Sequence, residues 1–490
     1  MKRGFGFHAS NYAWAEIAAT AAGLLSFPIL TRLLSVADYG AMNLVAAVLG
    51  IAVALGKLGL QHAALRAWPE VQAGRSPYSP QVFRSTVFWG MAASGLVVSL
   101  TWLLLAWWIP GSWWAEPHID GVMMLAAPLI GVRVIDSMLT NQLRAEEASL
   151  ALAVYGTLRR YLALIVVVAV LWMVQQDLRG FYIATLVIEA LVLLGLLWWK
   201  FRGREWPSMK QVSWPLYGSL ALFGLPMLGS ELSTVVLVMS DRFIIQSRLG
   251  AEALGIYAAS YNMCDYMRNA LLGAMVGAAY PRCLHLWETE GREGLQRFLN
   301  RFLRLYVLLA MYMVALMAVI GGELMAVLAS AKYTAGGQVT GWIMAGLALQ
   351  SVLTVAAIGI YLAKRTVLAL ALVLGSGLAS IGANLILVPW LGIRGAGVAV
   401  CLVFLLLAAV QMSIAHRLAP VVVPWRALAL GGAAALLAAG AAAQLHLGSV
   451  WLNLLAQGSL LSVLFGLVVL SLDASLRAEL VQRLKAWRAA

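Results

Sequence analysis

Long stretches of apolar residues recur along the whole chain and are separated by short polar segments. Runs such as 162–174 and 191–199 contain no charged side chain. A stretch of about 20 apolar residues is long enough to cross a bilayer as a helix. The runs do not alternate between apolar and polar positions, as the strands of a transmembrane β-barrel do. The pattern therefore predicts an all-α, polytopic membrane protein with about fourteen transmembrane helices.

The connections between the predicted spans are short. The longest, 281–302, is rich in charged residues and is predicted as a loop. No separate soluble domain fits between the spans. The spans are placed at residues 12–34, 40–65, 82–109, 121–143, 150–174, 181–199, 217–239, 253–280, 303–329, 339–363, 366–388, 395–415, 425–445 and 451–472.

The composition agrees with lipid as the solvent. Hydrophobic residues make up 62% of the chain and charged residues 11%, against about 25% charged residues in soluble domains. A net charge of +13 could indicate a nucleic acid partner. With a cytoplasmic N-terminus, however, the span map puts 25 of the 34 lysines and arginines on the cytoplasmic side and 6 on the other. This positive-inside asymmetry predicts two cytoplasmic termini and no binding of nucleic acid.

Two links between spans resemble each other and suggest an internal repeat. The first runs from residue 32 to 47 and the second from 247 to 260. Leu34 precedes Gly40 by six residues, and Leu249 precedes Gly255 by six. Both links follow the first span of a six-span block on the outer side. Transporters often place a binding site between two such repeats.

Three segments resemble the oligosaccharide flippase (polysaccharide biosynthesis) family of the multidrug/oligosaccharidyl-lipid/polysaccharide (MOP) exporter superfamily. The first is LTRLLSVADYG at 30–40, and the second covers 223–263. The third is a pattern of Lys332–Tyr333, Asn384, Pro389, Gly392, Ile393 and Gly395–Ala396–Gly397. The resemblance implies two six-helix lobes around a central cavity, with two extra C-terminal helices. It also implies a flippase rather than an enzyme, one that moves an undecaprenyl-pyrophosphate-linked oligosaccharide from the cytoplasmic to the outer leaflet of a bacterial inner membrane.

The span map and the resemblance together divide the chain into four segments. We expect an N-terminal six-helix lobe over residues 1–200 and a basic cytoplasmic linker over 201–216. A C-terminal six-helix lobe follows over 217–416. Transmembrane helices 13 and 14, with a basic cytoplasmic tail, occupy 417–490.

Cations inside the predicted spans are candidates for binding the pyrophosphate. A charge at the centre of a transmembrane helix costs roughly 2.5–3.5 kcal/mol, so such residues mark cavities or ion pairs. Lys57, Arg133 and Arg268 lie within spans. Lys57 has no acidic residue at helical spacing, and its alternative role is to snorkel to the cytoplasmic interface. The two arginines could hold phosphate with their fork of donors.

Both arginines have an acidic residue nearby on the same helix. Asp136 follows Arg133 by three residues, and Asp265 precedes Arg268 by three. Each pair can neutralise itself on one helix face. The alternative to a role in the cavity is an internal ion pair that fixes packing.

Glu231 and Glu189 lie in spans without an ion partner at helical spacing. Either could be a carboxyl that binds a coupling proton, or a neutral packed acid. We expect no cofactor and no metal site, since the three cysteines have no metal-ligand spacing. The coupling ion, H⁺ or Na⁺, stays open, because export of an anion could also follow the membrane potential.

Arg32, Asp241 and Arg242 match the family's repeated positions at the outer ends of spans one and seven. The preferred hypothesis is an outer gate, a salt-bridge cluster that closes the inward-facing state; binding of substrate is the alternative.

Two other functions compete with the flippase hypothesis. The cargo could be a drug or the peptidoglycan precursor, as in other MOP exporters. A membrane glycan polymerase or ligase is the alternative from another class, although the short outer loops disfavour it. The expected partners are the lipid-linked oligosaccharide, membrane lipids, and a polysaccharide polymerase with its chain-length protein.

Overall fold

A computed structural model describes residues 5–108, 119–203, 205–356, 366–418, 422–474, 476–478 and 482. These residues are almost entirely helical and contain no strand. The helices are α1 (Phe5–Leu33), α2 (Val36–Lys57), α3 (Leu60–Gln72), α4 (Pro80–Trp108), α5 (Ile119–Ala145), α6 (Ser149–Met173), α7 (Leu178–Phe201), α8 (Trp214–Arg268), α9 (Ala274–Thr289), α10 (Gly291–Leu328), α11 (Gly337–Ala356), α12 (Thr366–Leu391), α13 (Ile393–Leu418), α14 (Trp425–Ala442) and α15 (Val450–Leu472). The structure also contains two 3₁₀ turns, at Met209–Gln211 and Ala331–Gly336, and a π-helical turn at Asn269–Gly273.

Thirteen helical stretches within the described ranges are long and apolar enough to cross a membrane. One of them, Trp214–Thr289, has 76 residues, whereas about 20 suffice for one crossing. Gly250 interrupts this stretch with φ 84° and ψ 178°, a conformation that is essentially confined to glycine. The stretch therefore contains two spans. The prediction of an all-α, polytopic membrane protein with about fourteen transmembrane helices is confirmed.

The chain divides into two compact units, Met1–Gly255 and Ile256–Ala490. In the first, α2 packs on α4 and α5, and α1 packs on α6. In the second, α11 packs on α10 and α13, while α14 and α15 pack on α10 and on each other. The division into lobes at 1–200 and 217–416, with a linker at 201–216 and a C-terminal segment at 417–490, stays a prediction.

Large apolar side chains lie on the outer surface of both units. In the first unit Trp107 and Trp108 are 75% and 77% exposed. In the second, Leu436 and Trp390 are 78% and 82% exposed. Side chains of this kind are stable on a surface that faces lipid, and aromatic rings concentrate where the bilayer meets water.

Two predicted boundaries are wrong. Span 40–65 ends earlier, at Lys57, because Leu58 and Gly59 adopt the left-handed conformation and α3 starts after them. The predicted loop 281–302 is largely helical, since α9 extends to Thr289 and α10 begins at Gly291. Gly291, with φ 64°, makes the sharp turn between them. Charged residues suggested a loop there, but they are also common where a long helix continues into water.

The segment between α7 and α8 is fastened to α4. Trp89 Nε1 donates to Pro207 O at 3.1 Å, and Ser208 N donates to Ser85 Oγ at 3.1 Å. Ser213 N donates to Thr86 Oγ1 at 3.0 Å. These bonds fix where α8 begins, and therefore where its polar residues lie along α2.

Candidate functional site

Lys57 and Glu231 form an ion pair within the first unit. Lys57 Nζ donates to Glu231 Oε1, and Gln61 Nε2 donates to Glu231 Oε2 at 2.9 Å. The Lys57 and Glu231 side chains are only 14% and 24% exposed. Both oxygens of the carboxylate are therefore engaged by protein donors. The Lys57 ammonium is thus held by an acid from another helix, α8.

The backbone geometry around Lys57 depends on glycines. A Cβ atom on Gly59 would lie 2.0 Å from Gly224 O, and one on Gly224 would lie 2.6 Å from Leu58 O. Real Cβ atoms do not approach other atoms so closely, so the end of α2 and the first half of α8 touch backbone to backbone. Glu231 lies two helical turns after Gly224, which brings its carboxylate to Lys57.

A second close crossing lies at the other end of α2. A Cβ on Gly40 would be 2.2 Å from Ala251 O, and one on Gly255 would be 2.0 Å from Val36 O. Gly40 and Gly255 are the two equivalent glycines of the predicted repeat. In the structure each lies against the helix that carries the other.

Arg133 pairs with Glu189, not with Asp136 as predicted from the sequence. Arg133 Nε donates to Glu189 Oε2 at 2.9 Å, and Nη2 donates to Oε1 at 3.0 Å. The two side chains are 30% and 14% exposed. A bidentate pair of this kind is strong and geometrically specific. The i, i+3 spacing suggested a pair within α5, but the Arg133 guanidinium extends to a carboxylate on α7.

Asp136 instead binds two donors from α6. The Tyr155 hydroxyl donates to Asp136 Oδ1, and Arg159 Nη1 donates to Asp136 Oδ2. The Asp136 side chain is 11% exposed. Arg159 is one of the 25 cations counted on the cytoplasmic side, and nothing in that count connects it with Asp136. Its position one turn after Tyr155 on α6 is the only sequence signal for this cluster.

An open groove of about 300 Å³ lies beside the Arg133–Glu189 pair. Small and apolar residues of α1 and α6 form its walls, among them Ala22, Gly23 and Leu164. Arg160 also lines it and has no carboxylate partner among the described residues. Since the Arg133–Glu189 pair is neutral overall, Arg160 gives the groove a net positive charge.

In the second unit the predicted pair of Asp265 and Arg268 is present. Arg268 Nη2 and Nε both donate to Asp265 Oδ1, at 2.6 and 3.0 Å. Arg268 Nη1 also donates to Ser351 Oγ at 2.8 Å, and Asn269 Nδ2 donates to Asp265 Oδ2 at 3.1 Å. A π-helical turn begins directly after Arg268. Such turns are frequent at functional sites.

Of the residues predicted as an outer gate, two are buried within α8 and Arg32 is exposed in the last turn of α1. Asp241 and Arg242 are both 3% exposed, on α8, where Arg242 Nη1 donates to Asp241 Oδ1 at 3.0 Å and to Val238 O at 2.8 Å. Arg32 Nη1 donates to Pro28 O at 2.9 Å in α1. The gating role of these three residues stays a prediction.

A further charged cluster was missed by the sequence analysis. Lys200, 4% exposed, donates from Nζ to Glu146 Oε2 at 3.1 Å. Arg84 Nη2 lies 3.6 Å from Glu146 Oε1. Lys200 directly follows the predicted span 181–199, a position at which the sequence does not indicate burial. The described residues contain no group of three His, Cys, Asp or Glu side chains that could hold a metal ion.

Comparison with known proteins gives one family and two informative curated relatives. The family model described as "Polysaccharide biosynthesis protein" matches residues 29–336. The succinoglycan biosynthesis transport protein ExoT of Rhizobium meliloti (strain 1021) is 25% identical over 284 residues, which cover 55% of this chain and 52% of that one. The amylovoran biosynthesis protein AmsL of Erwinia amylovora is 26% identical over 179 residues, 36% of this chain and 44% of that one. The chain thus spans about half the length of the curated relatives that it matches.

Solved structures show the same fold. The lipid II flippase MurJ in an inward closed conformation superposes with a TM-score of 0.76 at 11% identity, over 96% of this chain and 99% of that one. An inward-facing multidrug resistance MATE family transporter of the MOP superfamily gives 0.63 at 14% identity, over 81% and 94%. At these identities the likeness shows the fold alone. ExoT is named as a transport protein, MurJ as a flippase and the MATE protein as a transporter, in agreement with the expectation of a transporter rather than an enzyme.

Proposed function

Because the chain belongs to the polysaccharide biosynthesis protein family, we propose that it is a flippase for an undecaprenyl-pyrophosphate-linked oligosaccharide. It moves this lipid from the cytoplasmic to the outer leaflet of a bacterial inner membrane, with both of its own termini in the cytoplasm. The names of the two relatives, which refer to succinoglycan transport and to amylovoran biosynthesis, support a glycan cargo. The MurJ-like fold supports a cargo linked to a lipid.

The observation that carries the proposal is the Lys57–Glu231 pair. Lys57 is the last residue of α2, about 32 Å along the helix axis from Val36 at 1.5 Å per residue. The ammonium therefore lies near one end of the apolar layer, where a phosphate headgroup enters. Its partner is a carboxylate, which a pyrophosphate can replace as the counter-ion.

This exchange of counter-ions links binding to conformation. When a pyrophosphate binds Lys57, Glu231 loses its cation and keeps only the bond from Gln61. An uncompensated carboxylate in a partly buried position is costly. The first half of α8, which carries Glu231, then loses its ion pair with α2 and keeps the backbone contact at Gly59 and Gly224, about which it can move. Binding energy from the anion is thereby used to move a helix, as alternating access requires.

Arg160 and the groove beside it supply a second place for negative charge or for sugar. The groove offers a donor at Arg160 and acceptors at Glu189 and at the Thr185 hydroxyl, which gives its own hydrogen to Phe181 O at 2.8 Å. A sugar presents hydroxyls that match such a mixture of donors and acceptors. We propose that this groove holds part of the headgroup during transport.

The coupling ion belongs to the proposal as well. We propose H⁺, with Na⁺ as the alternative, and the candidate group for binding it is the carboxylate of Glu231. The inside-negative potential favours outward movement of an anion by roughly 2.3 kcal/mol per charge and 100 mV. A polysaccharide polymerase and its chain-length protein are the proposed recipients of the product at the outer leaflet.

A cargo assay tests the proposed function. Purified protein is reconstituted into liposomes with a fluorescent lipid, and a membrane-impermeant quencher reports how much lipid has reached the outside. An undecaprenyl-pyrophosphate oligosaccharide, lipid II and a cationic drug are compared in separate vesicles. We expect translocation of the oligosaccharide lipid alone. Movement of lipid II or of the drug in its place would assign the chain to one of the other branches of the superfamily.

A further inference from the structure

Three buried polar atoms that surround one small cavity in the first unit have no hydrogen-bond partner among the described residues. They are Gln61 Oε1, Trp68 Nε1 and Arg84 Nε. The Gln61 and Trp68 residues are 4% and 3% exposed. All three residues line the same cavity between α3, α4 and α5. Buried polar atoms are nearly always hydrogen-bonded, so their concentration here points to a bound molecule.

The size and chemistry of the cavity select the molecule. Its volume is about 20 Å³, and about 10–15 Å³ is enough for one water. The three atoms are two donors and one acceptor. A water can accept from Trp68 Nε1–H and Arg84 Nε–H and donate to Gln61 Oε1, which gives the three bonds that a buried water usually makes. A halide would satisfy the two donors but would face the lone pairs of the Gln61 oxygen.

We propose that this cavity is a binding site for one ordered water molecule, and that the water positions Gln61 against Glu231. The amide of Gln61 has one orientation that suits both neighbours. Nε2 donates to Glu231 Oε2 at 2.9 Å, and the opposite orientation would place two oxygens against each other. The water supplies the hydrogen that Oε1 needs, and so holds the amide in the orientation that supports Glu231.

The water also joins two charged clusters. On one side Gln61 leads to the Lys57–Glu231 pair. On the other side Arg84 Nη2 lies 3.6 Å from Glu146 Oε1, and Glu146 Oε2 accepts from Lys200. Gln142, which lines the cavity, donates to Glu146 Oε1 at 3.2 Å. The water joins these groups into one hydrogen-bond network. Loss of the Lys57–Glu231 pair therefore changes the hydrogen bonding that reaches Lys200. The relevance of this network to transport rests on the proposed function, but the site itself does not.

A double-mutant cycle tests the positioning role. Trp68→Phe removes one donor to the water and keeps an aromatic ring. Trp102→Phe is the matched control, because Trp102 Nε1 donates to Met123 O at 2.9 Å elsewhere in the same unit. Each is combined with Glu231→Gln, and the thermal unfolding midpoint of the full chain is measured in detergent. We expect non-additive shifts for Trp68→Phe with Glu231→Gln, and additive shifts for the control. Additive shifts in both cycles would overturn the positioning role.

Density at high resolution tests the site directly. We expect one spherical peak within about 3.2 Å of Trp68 Nε1 and Gln61 Oε1 in the parent, and no peak in Ala64→Val, whose added methyl groups enter the cavity that Ala64 lines. An anomalous signal in the cavity after exchange into bromide, or no peak in the parent, would contradict the proposal. Neither experiment uses transport. A parent that moves no lipid would therefore count against the proposed function and leave the water site intact.

Discussion

Gly59 and Gly224 bring two helices into backbone contact, with space for no side chain between them. The contact lies next to Lys57 and sets the distance from which Glu231 reaches it. The role proposed for the Lys57–Glu231 pair needs this fixed backbone contact, because a long lysine side chain alone would not define one geometry. The first prediction tests this contact.

Gly224→Ala is expected to separate α2 from α8. The added Cβ would lie 2.6 Å from Leu58 O, so backbone has to move, at a cost of about 1–3 kcal/mol. Denaturant titration in detergent measures the loss. Gly218→Ala on the same helix is the control, since a Cβ there meets nothing within 4 Å. Equal stability of the two variants would show that the contact is not tight.

Gly250→Ala tests the break that divides α8 into two spans. The residue has φ 84° and ψ 178°, and a Cβ there would contact no described atom within 4 Å. Any loss of stability in Gly250→Ala therefore comes from backbone strain alone, which costs about 1–3 kcal/mol. Gly229→Ala, helical and equally unobstructed, should be neutral or slightly stabilising. The thermal unfolding midpoints of the two purified variants are compared. If Gly250→Ala is as stable as Gly229→Ala, the helix is continuous at position 250.

The pairing of Arg133 can be decided by mutation. Arg133→Gln leaves the Glu189 carboxylate without its two donors. We expect a loss near the lower end of about 3–5 kcal/mol, because the Arg133 side chain is 30% exposed. Adding Glu189→Gln to Arg133→Gln should recover much of the lost stability, whereas adding Asp136→Asn should not. Recovery with Asp136→Asn instead would show that Arg133 pairs with Asp136, as helical spacing suggested.

The sequence was sufficient for the helical membrane fold but not for the ion pairs. Apolar runs and sorted cations determine how often a chain crosses lipid, and both are visible in one dimension. Ion pairs inside the protein depend on which helices meet. Spacing along one helix found Asp265 and Arg268, which pair locally, but missed the partners of Arg133 and of Lys57, which come from other helices.

Gln61 shows what could have been found and what could not. It lies four residues after Lys57 and is polar within an apolar region, and this spacing would assign it to the same face of a continuous helix. The break at Leu58 and Gly59 changes that face, however, and left-handed backbone at a leucine has no clear sequence signal. The proposed water site next to Gln61 lies in a cavity formed by three helices. It could not be predicted from the sequence, because the sequence does not show how those helices pack.

The orientation predicted from the sorted cations can be measured by labelling. Arg75→Cys lies in the connection between α3 and α4, and Gln176→Cys lies between α6 and α7; both positions are exposed. In intact cells a membrane-impermeant maleimide should label Gln176→Cys but label Arg75→Cys only after lysis. The native Cys264 and Cys283 are buried, and replacing all three native cysteines by Ser removes background. The reverse labelling pattern would contradict the predicted orientation and indicate the opposite one.

Reversal of the charges of Lys57 and Glu231 tests the central claim most directly. Translocation of the fluorescent lipid-linked oligosaccharide is compared for Lys57→Glu, for Glu231→Lys and for the double variant, with Lys210→Glu as an exposed control. The account predicts that each single reversal lowers the rate by about tenfold or more, equivalent to about 1.4 kcal/mol. It also predicts that the double variant recovers most of the rate and that the control stays at the parent's. Single reversals that translocate as fast as the parent, or a double variant no faster than either single one, would contradict it.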